Sequence, residues 1–141
     1  MCIPGKAQVS LALPVKPQVP PADAQNAHFF AEARNALPRP APTKWKFTVA
    51  ATNDSFVLTA NVGHQITDAI FFPLAEAQIS NAAPQTLVPT ATGFRMKLRK
   101  SDQLLKPIAQ LKGVLLLSGE RAYSIDIPVG RPVASSAKGS T

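Results

Sequence analysis

Between Thr43 and about Val129, apolar residues recur at every second position. Trp45, Phe47 and Val49 alternate with Lys44, Lys46 and Thr48, and Phe56, Leu58 and Ala60 form a return run beyond Asn53-Asp54. Successive side chains of a strand point to opposite faces, so the two runs predict half-buried strands joined as a hairpin. Ala69-Ile70-Phe71-Phe72 is a short apolar strand ended by Pro73, and Gln78 to Val88 reads as an edge segment and loop. Phe94, Met96 and Leu98 alternate with Arg95, Lys97 and Arg99, giving the clearest two-faced strand. Lys112-Gly113 leads into Val114–Leu117, and Ser118-Gly119-Glu120 turns the chain into Tyr123, Ile125 and Ile127, a closing hairpin. Six or seven short strands within about 90 residues predict an all-β fold, an immunoglobulin-like β-sandwich spanning 43–130.

The chain ahead of Thr43 follows a different rule. Eight of the 14 prolines fall there, and proline fixes φ and lacks a backbone donor, so neither a continuous sheet nor a long helix can form. Two islands remain. Val9, Leu11 and Leu13 share one side of an alternating stretch, which predicts a strand over 7–13. Ala24 to Leu37 contains neither Gly nor Pro and predicts a helix capped by Asp23, with Ala27, Phe30, Ala31 and Leu37 forming its apolar stripe. Pro38-Arg39-Pro40-Ala41-Pro42 ends the helix and reads as an extended linker. The segment 131–141 is small and polar and reads as a flexible tail.

A length of 141 residues supports one main domain with an appendage, and 45% hydrophobic against 16% charged residues is a globular balance. The net charge of +7 admits nucleic acid, anionic headgroups or acidic proteins as partners. One Trp, one Tyr and no nucleic-acid module argue against the first. Val114–Leu117 is the longest apolar run, far short of the roughly 20 residues of a spanning helix, so no membrane span is expected. Met1 is followed by Cys2-Ile3-Pro4-Gly5 with neither a basic region nor a long apolar stretch, so no secretory signal is read. By itself that beginning fits a cytoplasmic product or a piece of a longer exported one.

Candidate chemistry is sparse. His28 and His64 lie in no ligand pattern, so no metal is expected, and isolated glycines give no phosphate loop or cofactor cradle. No Gly-x-Ser-x-Gly elbow supports hydrolysis, and Asp102 and Glu120 are turn carboxylates. Arg95, Lys97 and Arg99 form either a partner surface or, as the favoured reading, a solvent face on which long cations cover apolar area. Cys2, the single cysteine, is either an incidental surface thiol or a reactive one, and spacing does not choose between them.

Four ordered blocks carry a family resemblance. Cys2-Ile3-Pro4 leading into a small-residue stretch that ends in Leu13-Pro14 is the first, and Phe29-Phe30-Ala31-Glu32-Ala33-Arg34 with Leu37-Pro38 the second. Phe71-Phe72-Pro73-Leu74 with Ile79-Ser80-Asn81-Ala82-Ala83-Pro84-Gln85 is the third. Leu111-Lys112-Gly113-Val114-Leu115 with Ala122-Tyr123-Ser124-Ile125-Asp126 is the fourth. Together they resemble the exported N-terminal region of DsbD/ScsB-type thiol:disulfide interchange proteins.

The resemblance implies a periplasmic module of a protein-disulfide reductase. Such a module takes electrons from a membrane domain and passes them to periplasmic thioredoxin-like or disulfide-isomerase proteins, in cytochrome c maturation, disulfide correction or copper tolerance. Cys2 then corresponds to the second member of a redox pair whose first member would precede Met1. A truncated fragment is therefore expected, not redox-competent alone because no second thiol is present to resolve a mixed disulfide. Residues 1–21 become the remnant of a preceding β-domain, with 7–13 its orphan strand, and 22–42 a helix and linker. The alternative expectation is a non-enzymatic immunoglobulin-like interaction module in which Cys2 is idle.

Overall fold

Asp23 opens the first regular element. Its Oδ1 accepts a hydrogen bond from the Gln25 N–H at 3.0 Å, and its carbonyl accepts the first helical bond from Ala27 at 2.8 Å. Helix α1, Ala24–Ala36, runs from this cap to just before Pro38 and buries none of its residues. The computed structural model describes residues 4–118 and 121–130. Within them the chain divides into two units, Met1–Asn35 and Ala36–Thr141.

In the first unit the strand expected over 7–13 is absent, and residues 4–22 are exposed without helix or strand. Alternation makes a segment able to be a strand, but its N–H and C=O groups need a neighbour to pair with. No strand of this chain pairs with it among the described residues.

The second unit is built almost wholly of strands. β1 is Arg39–Pro40, β2 Lys46–Ala51, β3 Ser55–Asn61, β4 Ala69–Pro73, β5 Thr86–Thr90, β6 Gly93–Arg99, β7 Gln110–Leu117 and β8 Arg121–Gly130. Their order is β4-β7-β8-β2-β3-β6-β5, with β1 parallel to β8. The expected hairpins are present: β2 pairs antiparallel with β3, and β7 with β8. β8 changes partner along its length. Arg121 to Pro128 pair with β7, while Val129 and Gly130 pair in parallel with Val49 and Ala50 of β2. Nearly the whole unit is thereby one ladder folded over a single core of Val49, Phe56, Leu58, Phe94, Met96 and Leu98 against Phe71, Leu111, Leu115, Ile125 and Ile127.

Two boundaries depart from expectation. The proline segment is not a free linker: Arg39 and Pro40 lie beside Tyr123 and Ser124, and Ala41 packs on the core. An extended proline backbone suits an outer strand, where a missing N–H costs little. The second, β7, starts at Gln110, ahead of Gly113, whose glycine reads in sequence as the approach to a strand. Gly113 is instead an interior strand position. A Cβ there would overlap the Phe72 carbonyl oxygen and come within 2.5 Å of the Phe71 ring, so the glycine is the space that the ring occupies.

The ladder ends at β4 and β5, and a side chain lies over the β4 edge. The Phe71 N–H donates to Gln85 Oε1 at 2.8 Å, and Gln85 Nε2 donates to the Phe71 carbonyl at 2.7 Å. The amide thus satisfies both groups that a neighbouring strand would use. Gln85→Ala should cost about 1–3 kcal/mol, the loss from leaving part-buried backbone groups unpaired. Urea unfolding would show a lower midpoint at unchanged slope, with faster hydrogen exchange at Phe71; an unmoved midpoint would refute the role. Gly113→Ala should cost about 1–3 kcal/mol or more by overpacking against Phe71. The companion change Phe71→Leu should recover part of that loss in a double-mutant cycle, and strict additivity would show that the two positions do not compete for space.

Candidate functional site

Cys2, the candidate redox residue, lies outside the described residues, as do the 131–141 tail and Glu120. The other candidates are placed. Arg95, Lys97 and Arg99 alternate on β6 with Phe94, Met96 and Leu98; the apolar set is fully buried and the cations are exposed. All three cations therefore share the outer face of the β2-β3-β6-β5 sheet. Register sets Arg95 between Thr59 and Val88, and Lys97 between Val57 and Thr86.

The β2–β3 turn supplies the one described carboxylate that pairs with this row. Thr52 accepts the Ser55 N–H on its hydroxyl at 3.1 Å, where its own carbonyl would normally serve. That leaves the Thr52 carbonyl to accept from the Lys100 ammonium, which also stands 5.1 Å over the Phe56 ring. Asp54 in the same turn accepts from the Ser55 hydroxyl at 2.9 Å and the Thr52 hydroxyl at 3.2 Å, and Lys97 Nζ lies 3.7 Å from its Oδ2. These donors, Ser55 first, hold the Asp54 carboxyl below its ordinary pKa of 3.8. Asp54 is thus an anion that pairs with the middle cation of the basic row. Arg95 and Arg99 have no carboxylate within salt-bridge distance among the described residues.

Two further surfaces were not foreseen. A cleft of about 390 Å³ opens at the Lys100 end between Phe56, Leu104, Pro107 and Val129, with Leu105 89% exposed at its mouth. On the opposite sheet, Ile70 and Phe72 face outward at 43% and 51% exposure, level with Leu116 and Val114 in the next strand. An uninterrupted apolar segment betrays no inner and outer side, so the sequence does not tell Phe71 from Phe72. Gln85 was missed for another reason: nothing in a local pattern marks a side chain that bonds a backbone 14 positions away.

His28 sits 3.6 Å from Glu32 on the exposed helix, and His64 follows Gly63 in a turn. No group of three or more His, Cys, Asp or Glu side chains gathers among the described residues. No described helix is long and apolar enough to cross a membrane.

Asp54 gives a pH test of the turn. Because its folded-state pKa is lowered, the stability it contributes is present above the unfolded value and is lost as pH falls through the folded one. Asp54→Asn keeps an acceptor for Ser55 but cannot titrate. It should flatten the fall of the urea midpoint below the ordinary value of 3.8, and an acid limb as steep as the wild type's would remove Asp54 from the account.

Comparison with known proteins leaves the reading to these residues: no family model, curated protein or solved structure matches the chain.

Proposed function

We propose that the chain corresponds to part of the exported region of a DsbD/ScsB-type thiol:disulfide reductase, periplasmic, with Cys2 its redox thiol and residues 36–130 an immunoglobulin-like scaffold. The carrying observation is that the two parts of the third block of the resemblance meet each other, and meet the fourth block, at one seam. Gln85 of the Ala-Ala-Pro-Gln stretch clamps Phe71 of Phe-Phe-Pro, and Gly113 of the closing hairpin makes room for the same Phe71 ring. The strand order supports the scaffold. β2-β3-β6-β5 opposite β4-β7-β8 follows the four-plus-three order of a constant-type sandwich, A-B-E-D against C-F-G.

The chemistry is limited by one thiol. The Cys2 thiolate attacks a partner disulfide sulfur, a new S–S bond forms, and the displaced thiolate leaves with the electron pair. With no second cysteine in the chain to attack that bond, the mixed disulfide persists until an outside thiol resolves it.

The test uses a thioredoxin-like protein reduced to one active-site cysteine carrying a thionitrobenzoate group. Attack by Cys2 should join the two proteins and release thionitrobenzoate at least about tenfold faster than glutathione does at equal concentration and pH. Cys2→Ser should abolish release. A rate equal to that of glutathione would mean an ordinary thiol and would end the redox reading. The outward Ile70 and Phe72 favour a second reading, a non-enzymatic interaction module, and partner capture unchanged in Cys2→Ser would select it.

A further inference from the structure

We propose that the outer face of the β2-β3-β6-β5 sheet is a docking surface for an acidic protein, with Arg95 and Arg99 its anchoring cations. The inference goes beyond the thiol chemistry and does not depend on it.

Charge is the first argument. The face presents Arg95, Lys97 and Arg99 from β6 and Lys46 from β2, while the described carboxylate beside it is Asp54 at one end. Asp54 is already held by Ser55, Thr52 and Lys97. Neither Arg95 nor Arg99 has a carboxylate within salt-bridge distance among the described residues, and Arg95 lies at the end of the row away from Asp54. The opposite sheet treats its outward cation differently: Lys112 lies directly across from Asp126 with Nζ 3.0 Å from Oδ2. A solvent face needs only charge, and mixed signs serve best; a row of one sign, three residues of strand between its two arginines, favours a surface of opposite sign.

What lies between the cations points to a protein. Val57, Thr59, Thr86 and Val88 flank them in register, and Val88 is 56% exposed. Methyl-bearing side chains interleaved with arginine match the composition of protein interfaces, in which Arg is enriched around an apolar centre. A sheet that reads single-stranded nucleic acid instead offers aromatic rings for stacking. The chain's Trp45 and Tyr123 rings pack on one another at 4.8 Å and belong to β8 and the approach to β2, not to this row. A cleft of about 260 Å³ between Lys97, Arg99, Thr86 and Pro84 is lined by Asp54 and Ser55 as well, so the open place for a partner carboxylate is at Arg95, at the other end of the row. Arg95 can meet that carboxylate in bidentate fashion.

The probe is a short capped peptide alternating Glu and Val, titrated into the full isotope-labelled chain. Amide shifts should concentrate at Val57–Thr59, Thr86–Val88 and Arg95–Arg99. The double variant R95Q/R99Q should weaken binding by about tenfold, whereas K106Q/K112Q, which removes the same net charge elsewhere, should change it less than about twofold. Equal losses in both variants would reduce the effect to net charge and overturn the proposal. So would shifts on another face, or no binding at low salt. Duplex DNA or phosphatidylglycerol vesicles binding this face more tightly than the peptide at the same ionic strength would assign it to a polyanion instead, which also overturns it.

Discussion

A β-sheet has open edges, and each edge is a row of backbone donors and acceptors that must be paired, wetted or blocked. The organisation of residues 36–130 follows from how those edges are removed. β8 runs first beside β7 and then, at Val129 and Gly130, beside β2, so one continuous strand joins the β4-β7-β8 and β2-β3-β6-β5 ladders. The remaining edges, β4 and β5, are blunted by side-chain chemistry: the Gln85 amide occupies Phe71, and Pro73 and Pro89 have no N–H to offer. This closure explains residues that look unrelated in sequence. Gly113 is the residue that leaves room for both the Phe72 carbonyl and the Phe71 ring, whose backbone faces Gln85.

Much of this was legible from alternation. β2, β3, β6 and the β7–β8 hairpin follow from a period of two because each has one wet and one dry face, and Asp23 marks the start of α1 because a cap acts within its own turn. What failed has a common cause. The 7–13 stretch alternates as well as β6 does, yet it is exposed without strand structure, because pattern reports a segment's two sides and not the presence of a neighbour. Likewise Arg39–Pro40 joins β8 although its composition reads as linker. Gln85 and Gly113 act through partners remote in sequence, and a single chain read in order carries no signal for such meetings.

The two outer faces show different solutions to the same solvent. On β6, Arg95, Lys97 and Arg99 point outward and are exposed, with Val57, Thr59, Thr86 and Val88 beside them in register. On β4, Ile70 and Phe72 face outward with no charge of their own strand to shield them, and the nearest protection in the register is the Lys112–Asp126 pair further along β7 and β8. A long cation keeps a face soluble at modest cost; an outward phenylalanine does not, and its retention there sets that face apart from an ordinary solvated surface.

Thiol–disulfide exchange is chemically unselective, because any accessible disulfide with a good leaving thiolate will react with a thiolate. A protein carrying a single thiol can discriminate among partners in two ways: by tuning that sulfur, or by raising the local concentration of the right disulfide through a second contact. The second route needs nothing at the sulfur itself. A docking face of even modest affinity converts a bimolecular encounter into one at a locally high effective concentration, and its gain multiplies that of any reactivity at the thiol.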